Sequence, residues 1–307
     1  MNAAKSQPKK AGLTKRQWRS VKQFVQGLLF LSPSLILFIV FVFVPLFKSF
    51  ELSSYITTPI GEPAKFIGLK NYSRFLSDPT FQNSIKTSFL FILYVVPPTI
   101  LLGLVLALLG NMRMKYIQIF RVLFSFTIAI SGATASLIFL YIYHPTVGVN
   151  YLLGLIGIPK IEWLVSSQTA LFSVALTTIW LQVGLNMVIL LAAIQTIPDE
   201  LFESAMIDGA NWWKQLIHIT LPLLSSTFFF LLVVDTLAAF QTFTPIHIMT
   251  KGGPLNSTNL IVYSVYREFY FNGKYGLAAA QSIILFLMML VLTIIQFVFI
   301  EKKVFYE

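Results

Sequence analysis

Glu203-Ser204-Ala205-Met206-Ile207-Asp208-Gly209-Ala210-Asn211-Trp212-Trp213, continuing through Lys214 to Leu221-Pro222, is a chemically busy interval between two apolar runs. Just upstream, Thr196-Ile197-Pro198-Asp199-Glu200 carries helix-start chemistry: a hydroxyl able to cap, a proline for the first turn, and two carboxylates suited to the positive end of a helix. Leu201 and Phe202 recur one turn later as Ala205 and Met206, which gives this helix one apolar face. Gly209 stands where a chain leaves a helix with positive φ. Asn211 is placed to cap a second helix through Trp212, Trp213 and Leu216. The interval predicts two short helices at an angle, with an apolar face on offer, lying across the end of whatever the flanking runs build.

Those runs build a membrane bundle. The 307-residue chain is 56% hydrophobic and 11% charged, a composition that cannot keep its surface in water. Uncharged runs near the roughly 20 residues that cross a hydrocarbon core lie at 28–47, 88–110, 122–143, 169–195 and 276–299, and a sixth run, 222–246, is interrupted only by Asp235. His144-Pro145 and Gly148 close off the third. The prediction is an all-α, polytopic membrane protein with six transmembrane helices. Residues 1–23 form a basic tail and interfacial helix, 24–307 the six-helix domain, and 197–222 its large polar loop.

Six spans put both termini on one side. Thirteen of the 22 Lys and Arg fall there, seven of them in the tail (Lys5, Lys9, Lys10, Lys15, Arg16, Arg19 and Lys22), so that side is cytoplasmic, and loop 197–222 with it. From Thr14, Trp18, Val21, Phe24 and Val25 lie among the bases, as in a helix resting on an anionic membrane surface. The apolar run that follows is too long for a cleavable signal peptide and no small-x-small site closes it, so it reads as a retained anchor. Basic cytoplasmic ends account for the net charge of +10, and no nucleic-acid partner is implied. The absence of cysteine excludes disulfides and thiolate metal sites.

The spacing of Glu203, Ser204, Ala205, Gly209, Ile219, Leu221 and Pro222 resembles the EAA loop of importer-type ABC permeases: Glu-Ala-Ala, three residues, Gly, nine residues, Ile, one residue, Leu-Pro. Ser204 is the one departure, small for small. Further landmarks are similar to those of carbohydrate-uptake permeases: Gly68-Leu69-Lys70-Asn71-Tyr72, Asp78-Pro79-Thr80-Phe81, Met249-Thr250-Lys251-Gly252-Gly253-Pro254 with Thr258, and the ending Gln296-Phe297…Glu301-x-x-Val304-x-Tyr306. The overall look is that of six-span sugar and glycerol-3-phosphate permeases.

The resemblance implies a subunit of a bacterial cytoplasmic-membrane ABC importer, working with a second homologous permease, two ATPase subunits and an extracellular or periplasmic solute-binding protein. Glu203, Ser204, Ala205, Asp208, Gly209, Ile219, Leu221 and Pro222 would then couple the chain to an ATPase cleft, carrying force and no chemistry. ATP and Mg would be used by the ATPase, with no cofactor on this chain. Gly252, Gly253 and Pro254 would meet the loaded binding protein. The plain alternatives are an interfacial connector for the first set and a tight turn for the second.

The chain brings no catalytic motif of its own. His144, His218 and His247 are far apart and lack metal-site spacing, and neither Gly-x-Ser-x-Gly nor a phosphate-cradling Gly-x-x-x-x-Gly-Lys occurs. Polar residues inside spans are few: Gln182 and Asn186 beside Trp180, Asp235, Gln241 and Thr242, and Gln281. An ionised side chain at membrane depth costs about 3 kcal/mol, so each should face a cavity or a partner. Aligned to the maltose permease, cavity positions fall on Trp180, Gln182, Leu185, Asp235, Ala239 and Thr242. Trp180, Gln182, Asn186, Asp235, Gln241 and Thr242 are thus substrate-pathway candidates, with interhelical bonding the competing role. A carboxylate at Asp235 facing that cavity would favour a neutral or amino-bearing carbohydrate over glycerol-3-phosphate. A secondary transporter is the rival without an ATPase.

Overall fold

The computed structural model describes residues 15–112 and 114–304. Lys5, Lys9, Lys10, Thr14 and Tyr306, used above, lie outside the described residues. The chain forms two units, one of residues up to Glu51 and one from Leu52 onward.

The first unit is one long helix: α1 (Lys15–Phe38), a π-helical turn (Ile39–Phe43) and α2 (Val44–Ser53), which ends just inside the second unit. No break separates residues 15–23 from the span, so the basic turns and the apolar stretch form one rod. Its most apolar window has no buried residue, as befits a surface offered to lipid.

The second unit opens with a β-hairpin, β1 (Tyr55–Thr57) antiparallel to β2 (Pro63–Phe66), and a short helix α3 (Lys70–Leu76). Asp78 then caps α4 (Pro79–Gly110), its carboxylate accepting from Thr80 N at 2.9 Å with Pro79 in the first turn. Span two therefore starts well before the uncharged run at 88.

The third span, expected over 122–143, is bent. Helix α5 (Ile117–Ser125) runs through a 3₁₀ turn (Phe126–Ala129) and meets α6 (Gly132–Ile142) at 106°. Ser131 causes the break: its hydroxyl accepts from Thr134 N at 3.1 Å and starts a new helix. Gly184 allows it: a Cβ there would collide with the Thr127 hydroxyl and the Phe124 carbonyl.

Next come α7 (Val149–Leu155) and α8 (Ala170–Ile194). Asn150 holds α7 in place, donating to Pro145 O and Ile161 O and accepting from Ile161 N and the Trp163 indole. The polar interval follows as α9 (Asp199–Ile207) and α10 (Trp212–Gln215), then a π turn (Leu216–Thr220), α11 (Leu221–Leu223) and α12 (Ser225–Phe240). Span five unwinds at 241–243 and resumes as α13 (Thr244–Met249). α14 (Ile261–Tyr266) precedes α15 (Tyr275–Ile295), which continues through a π turn to Ile300. Among the described residues, five helices are long and apolar enough to cross a membrane, and six if the bent pair counts as one.

The core lies between α4, α8 and α12. Phe91 and Val95 meet Val174, Ala175, Ala239 and Ile246 in one layer, while Ala107 meets Met187, Leu190 and Leu231 in the next. Gly103 is the close-approach point: a Cβ there would lie 2.7 Å from Asn186 Cβ.

Candidate functional site: the polar elbow and the buried polar residues

The elbow at 197–222 is built almost as its residues dictate. Asp199 and Glu200 occupy the first turn of α9, where the helix dipole favours carboxylates. Thr196 does not cap α9; its hydroxyl donates backwards to Ala193 O at 2.7 Å, and Pro198 holds the cap position. The helix ends at Asp208, and Gly209 turns out with φ +76°. Gly209 N donates to Met206 O at 3.0 Å and Ala210 N to Ala205 O at 2.8 Å, the paired bonds of a Schellman ending. Asn211 Oδ1 then accepts from Lys214 N at 3.0 Å and starts α10. Gln215 Nε2 reaches back to Ala210 O at 3.2 Å, tying the second arm to the bend.

The second arm is not a separate short helix. It runs on through the π turn and α11 to Leu223, and one turn residue, Leu224, joins it to α12. The apolar face is bare: Leu201, Met206, Ile207, Trp212, Trp213 and Ile217 are exposed, Ile207 at 86%. Glu203, Ser204 and Asp208 are exposed with them. The Ser204 hydroxyl bonds Glu200 O one turn back, so the replacement is accommodated within its own helix. Two hollows flank the bend. One of about 350 Å³ brings Ala205 and Ile219 together with Lys214 and His218. The other, about 430 Å³, lies between the ends of α4 and α8 and the elbow, lined by Asn111, Gln195, Phe202 and Trp212. Leu221 and Pro222 are half-buried at the base of the second arm.

The span residues are arranged differently. Asp235 is only 3% exposed, and its Oδ1 accepts from Asn186 Nδ2 at 3.2 Å. Asn186 also donates to Gln182 O at 3.3 Å, and Gly103 of α4 presses against it from behind. The next residue, Thr236, accepts from Gln296 Nε2 at 3.1 Å, so adjacent positions of α12 bond to α8 and to the end of span six. These are interhelical bonds. The expected preference for a neutral solute rests on a carboxylate facing a cavity; here one oxygen of that carboxylate is bonded to Asn186 and the other is buried without a protein partner.

Asp235 and Thr242 do not share a continuous helical face, because the helix ends at Phe240. Thr242 is buried and bonds Ala238 O, while Gln241 is exposed beside Met289. Trp180 is half-buried, edge-on to Phe139, and Leu185 is exposed. Gln281 is buried and accepts from Ser264.

At the opposite end, Gly252 has φ +80° and lies against Tyr263, where a Cβ would come within 2.8 Å of the ring. Thr258 fixes the turn through Gly253 O and the Thr250 hydroxyl, both at 2.7 Å. Gly252 is buried, Gly253 and Pro254 half-buried, and the tip is Leu255, 89% exposed. Sequence reasoning passed over Leu255. It also passed over Gly103 and Gly184, for which a lone glycine in a helical run is the signal.

Comparison with known proteins accords with this architecture. Over 279 residues the chain is 35% identical to the sn-glycerol-3-phosphate transport system permease protein UgpA of Agrobacterium fabrum, covering 91% of this chain and 95% of that protein. It is 33% identical over 276 residues to UgpA of Pectobacterium atrosepticum. A crystal structure of a bacterial ABC transporter that imports the acidic polysaccharide alginate superimposes with a TM-score of 0.81 at 23% identity, covering 94% of this chain and 99% of that one. A second structure of such a transporter, in complex with its alginate pentasaccharide-bound periplasmic protein, gives 0.80 at 22% identity. Residues 87–305 match the binding-protein-dependent transport system inner membrane components, and the chain belongs to that family.

Proposed function

We propose that this chain is the permease subunit of an ATP-driven importer for carbohydrate or glycerol-3-phosphate, and that the elbow 197–222 is where an ATPase subunit docks. The observation that carries this is the elbow itself. A glycine-turned pair of helices shows a bare apolar face at the ends of spans four and five, and its second arm leads through α11 and a single turn residue into span five. A shape of this kind transmits force. Closure of two ATPase subunits on ATP and Mg would move α10 and α12 together and switch the access of a cavity shared with a second permease. Both termini and the elbow lie in the cytoplasm in this reading, as the distribution of Lys and Arg requires.

The family is a membrane transport component and not an enzyme. For the solute, Asp235 gives no ground for excluding an anion, since its carboxylate is bonded within the bundle. Relatives named for glycerol-3-phosphate support that solute as fully as a neutral sugar. Trp180, Gln182, Gln241 and Thr242 remain the pathway residues we assign, with Asn186 and Asp235 holding the helices behind them. Gly253 and Pro254, with Leu255 at the tip, are the contact we assign to the solute-binding protein.

Purified Gly209→Val complexes test the docking role. No atom lies within 4 Å of a Cβ at Gly209, so the subunit should insert normally while the positive-φ bend is strained. Solute-stimulated ATP hydrolysis should fall at least tenfold, and normal transport by the reconstituted variant would overturn the assignment.

A further inference from the structure

Lys65, Lys70 and Arg74 surround a hollow of about 760 Å³ between the hairpin and α3. No acidic residue lines it, and none of the three cations has a carboxylate partner among the described residues. The remainder of the lining is largely apolar, with Ile56, Ile67 and an exposed Phe66. A smaller hollow on the far side of Arg74 adds Lys274.

The scaffold under these cations is cross-tied by hydrogen bonds and by close approach to span six. Asn71 Nδ2 donates to Ser53 O at 2.8 Å and Tyr55 O at 3.0 Å, and the Tyr72 hydroxyl bonds Ser53 Oγ at 2.8 Å. Gly276, in the first turn of α15, lies directly under the Tyr55 carbonyl, where any Cβ would collide. α3 ends three residues before α4 begins. The hairpin is therefore held at the level where span six enters the uncharged region, which is the membrane surface.

We propose that Lys65, Lys70 and Arg74 form a headgroup site for an anionic phospholipid. The phosphate would meet the three cations, and Ile56, Phe66 and Ile67 would lie along the first carbons of the acyl chains. Uncompensated cations alone would fit an acidic protein surface equally well. The apolar wall and the position at the bilayer boundary are what select a lipid. This inference does not depend on the transport reading.

The test uses the full chain in nanodiscs of phosphatidylcholine mixed with phosphatidylglycerol, with retained lipid read by native mass spectrometry. The wild-type chain should retain phosphatidylglycerol selectively. The Lys65→Gln/Lys70→Gln/Arg74→Gln variant should lose that selectivity on the order of 100-fold, at about 1 kcal/mol per cation near an anionic surface. The charge-keeping Lys65→Arg/Lys70→Arg variant should preserve it, which separates lost charge from lost fold. The proposal is overturned if the wild-type chain shows no preference for phosphatidylglycerol, as an acidic-protein site would. It is equally overturned if the glutamine variant keeps the preference or the charge-keeping variant loses it.

Discussion

The elbow and the polar residues of spans four and five were both marked in the sequence by their chemistry, and the fold treats them in opposite ways. Around Gly209 the polar and apolar side chains alike stay at the surface, and the backbone satisfies itself through the Schellman bonds and the Asn211 cap. Around Asp235 the polar groups turn inward and pair across helices through one atom each, while the second Asp235 oxygen and the Asn186 and Gln296 carbonyls are buried without a protein partner. A region held by local bonds can present a face to a partner without contributing to the core. A region held by tertiary bonds contributes to the core and presents little. Substitutions in the two regions should therefore fail differently, the first in coupling and the second in folding.

The largest effect is expected in the core. Gly184→Leu would drive a side chain into Thr127 and the Phe124 carbonyl, and backbone cannot give way cheaply. Membrane levels of the subunit should collapse, and well-folded Gly184→Leu protein would break the account of the bent third span. Asp235→Ala should come next. It removes the bond between helices from the buried Asn186 amide, which keeps only its contact with Gln182 O, a loss of about 1–3 kcal/mol visible as a lower Tm in detergent. Asp235→Asn should be much milder, and its uptake of labelled sugars and glycerol-3-phosphate should change together with stability. A selective change in one solute at unchanged Tm would return Asp235 to the substrate pathway.

On the other side of the comparison, Glu203→Lys should leave Tm unaltered, because Glu203 is exposed, while reducing co-purification of the ATPase subunits severalfold. The smallest effect belongs to Asn211→Ala. It removes one cap bond worth about 1 kcal/mol and should lower stimulated ATPase activity without abolishing it.

This contrast also explains what was legible beforehand. Gly209 and Asn211 act within a few residues of themselves, so spacing alone located the bend and the second helix start. Asp199 and Glu200 were legible for the same reason. The break at Ser131 was not, because a Ser-Gly pair in an apolar run becomes a helix start only where α8 offers Gly184 to the passing backbone. Asp235 and Asn186 are 49 residues apart, and nothing in either neighbourhood announces the pairing. The hairpin at 55–66 was missed because a three-residue strand carries too little alternation to register. Thr196 misled for a simpler reason: a hydroxyl near a helix start can bond backwards as readily as forwards.

The central claim is that the elbow, and not the opposite end of the bundle, seats the ATPase. The chain has no cysteine, so single cysteines can be introduced cleanly. Ile207→Cys and Leu255→Cys are matched probes, both at highly exposed positions (86% and 89%) on opposite ends of the molecule. With a short bifunctional crosslinker on the assembled complex, Ile207→Cys should join the ATPase subunit in a nucleotide-sensitive manner, and Leu255→Cys should not. A crosslink to the ATPase from Leu255→Cys, with none from Ile207→Cys in a complex that still hydrolyses ATP, would contradict the account.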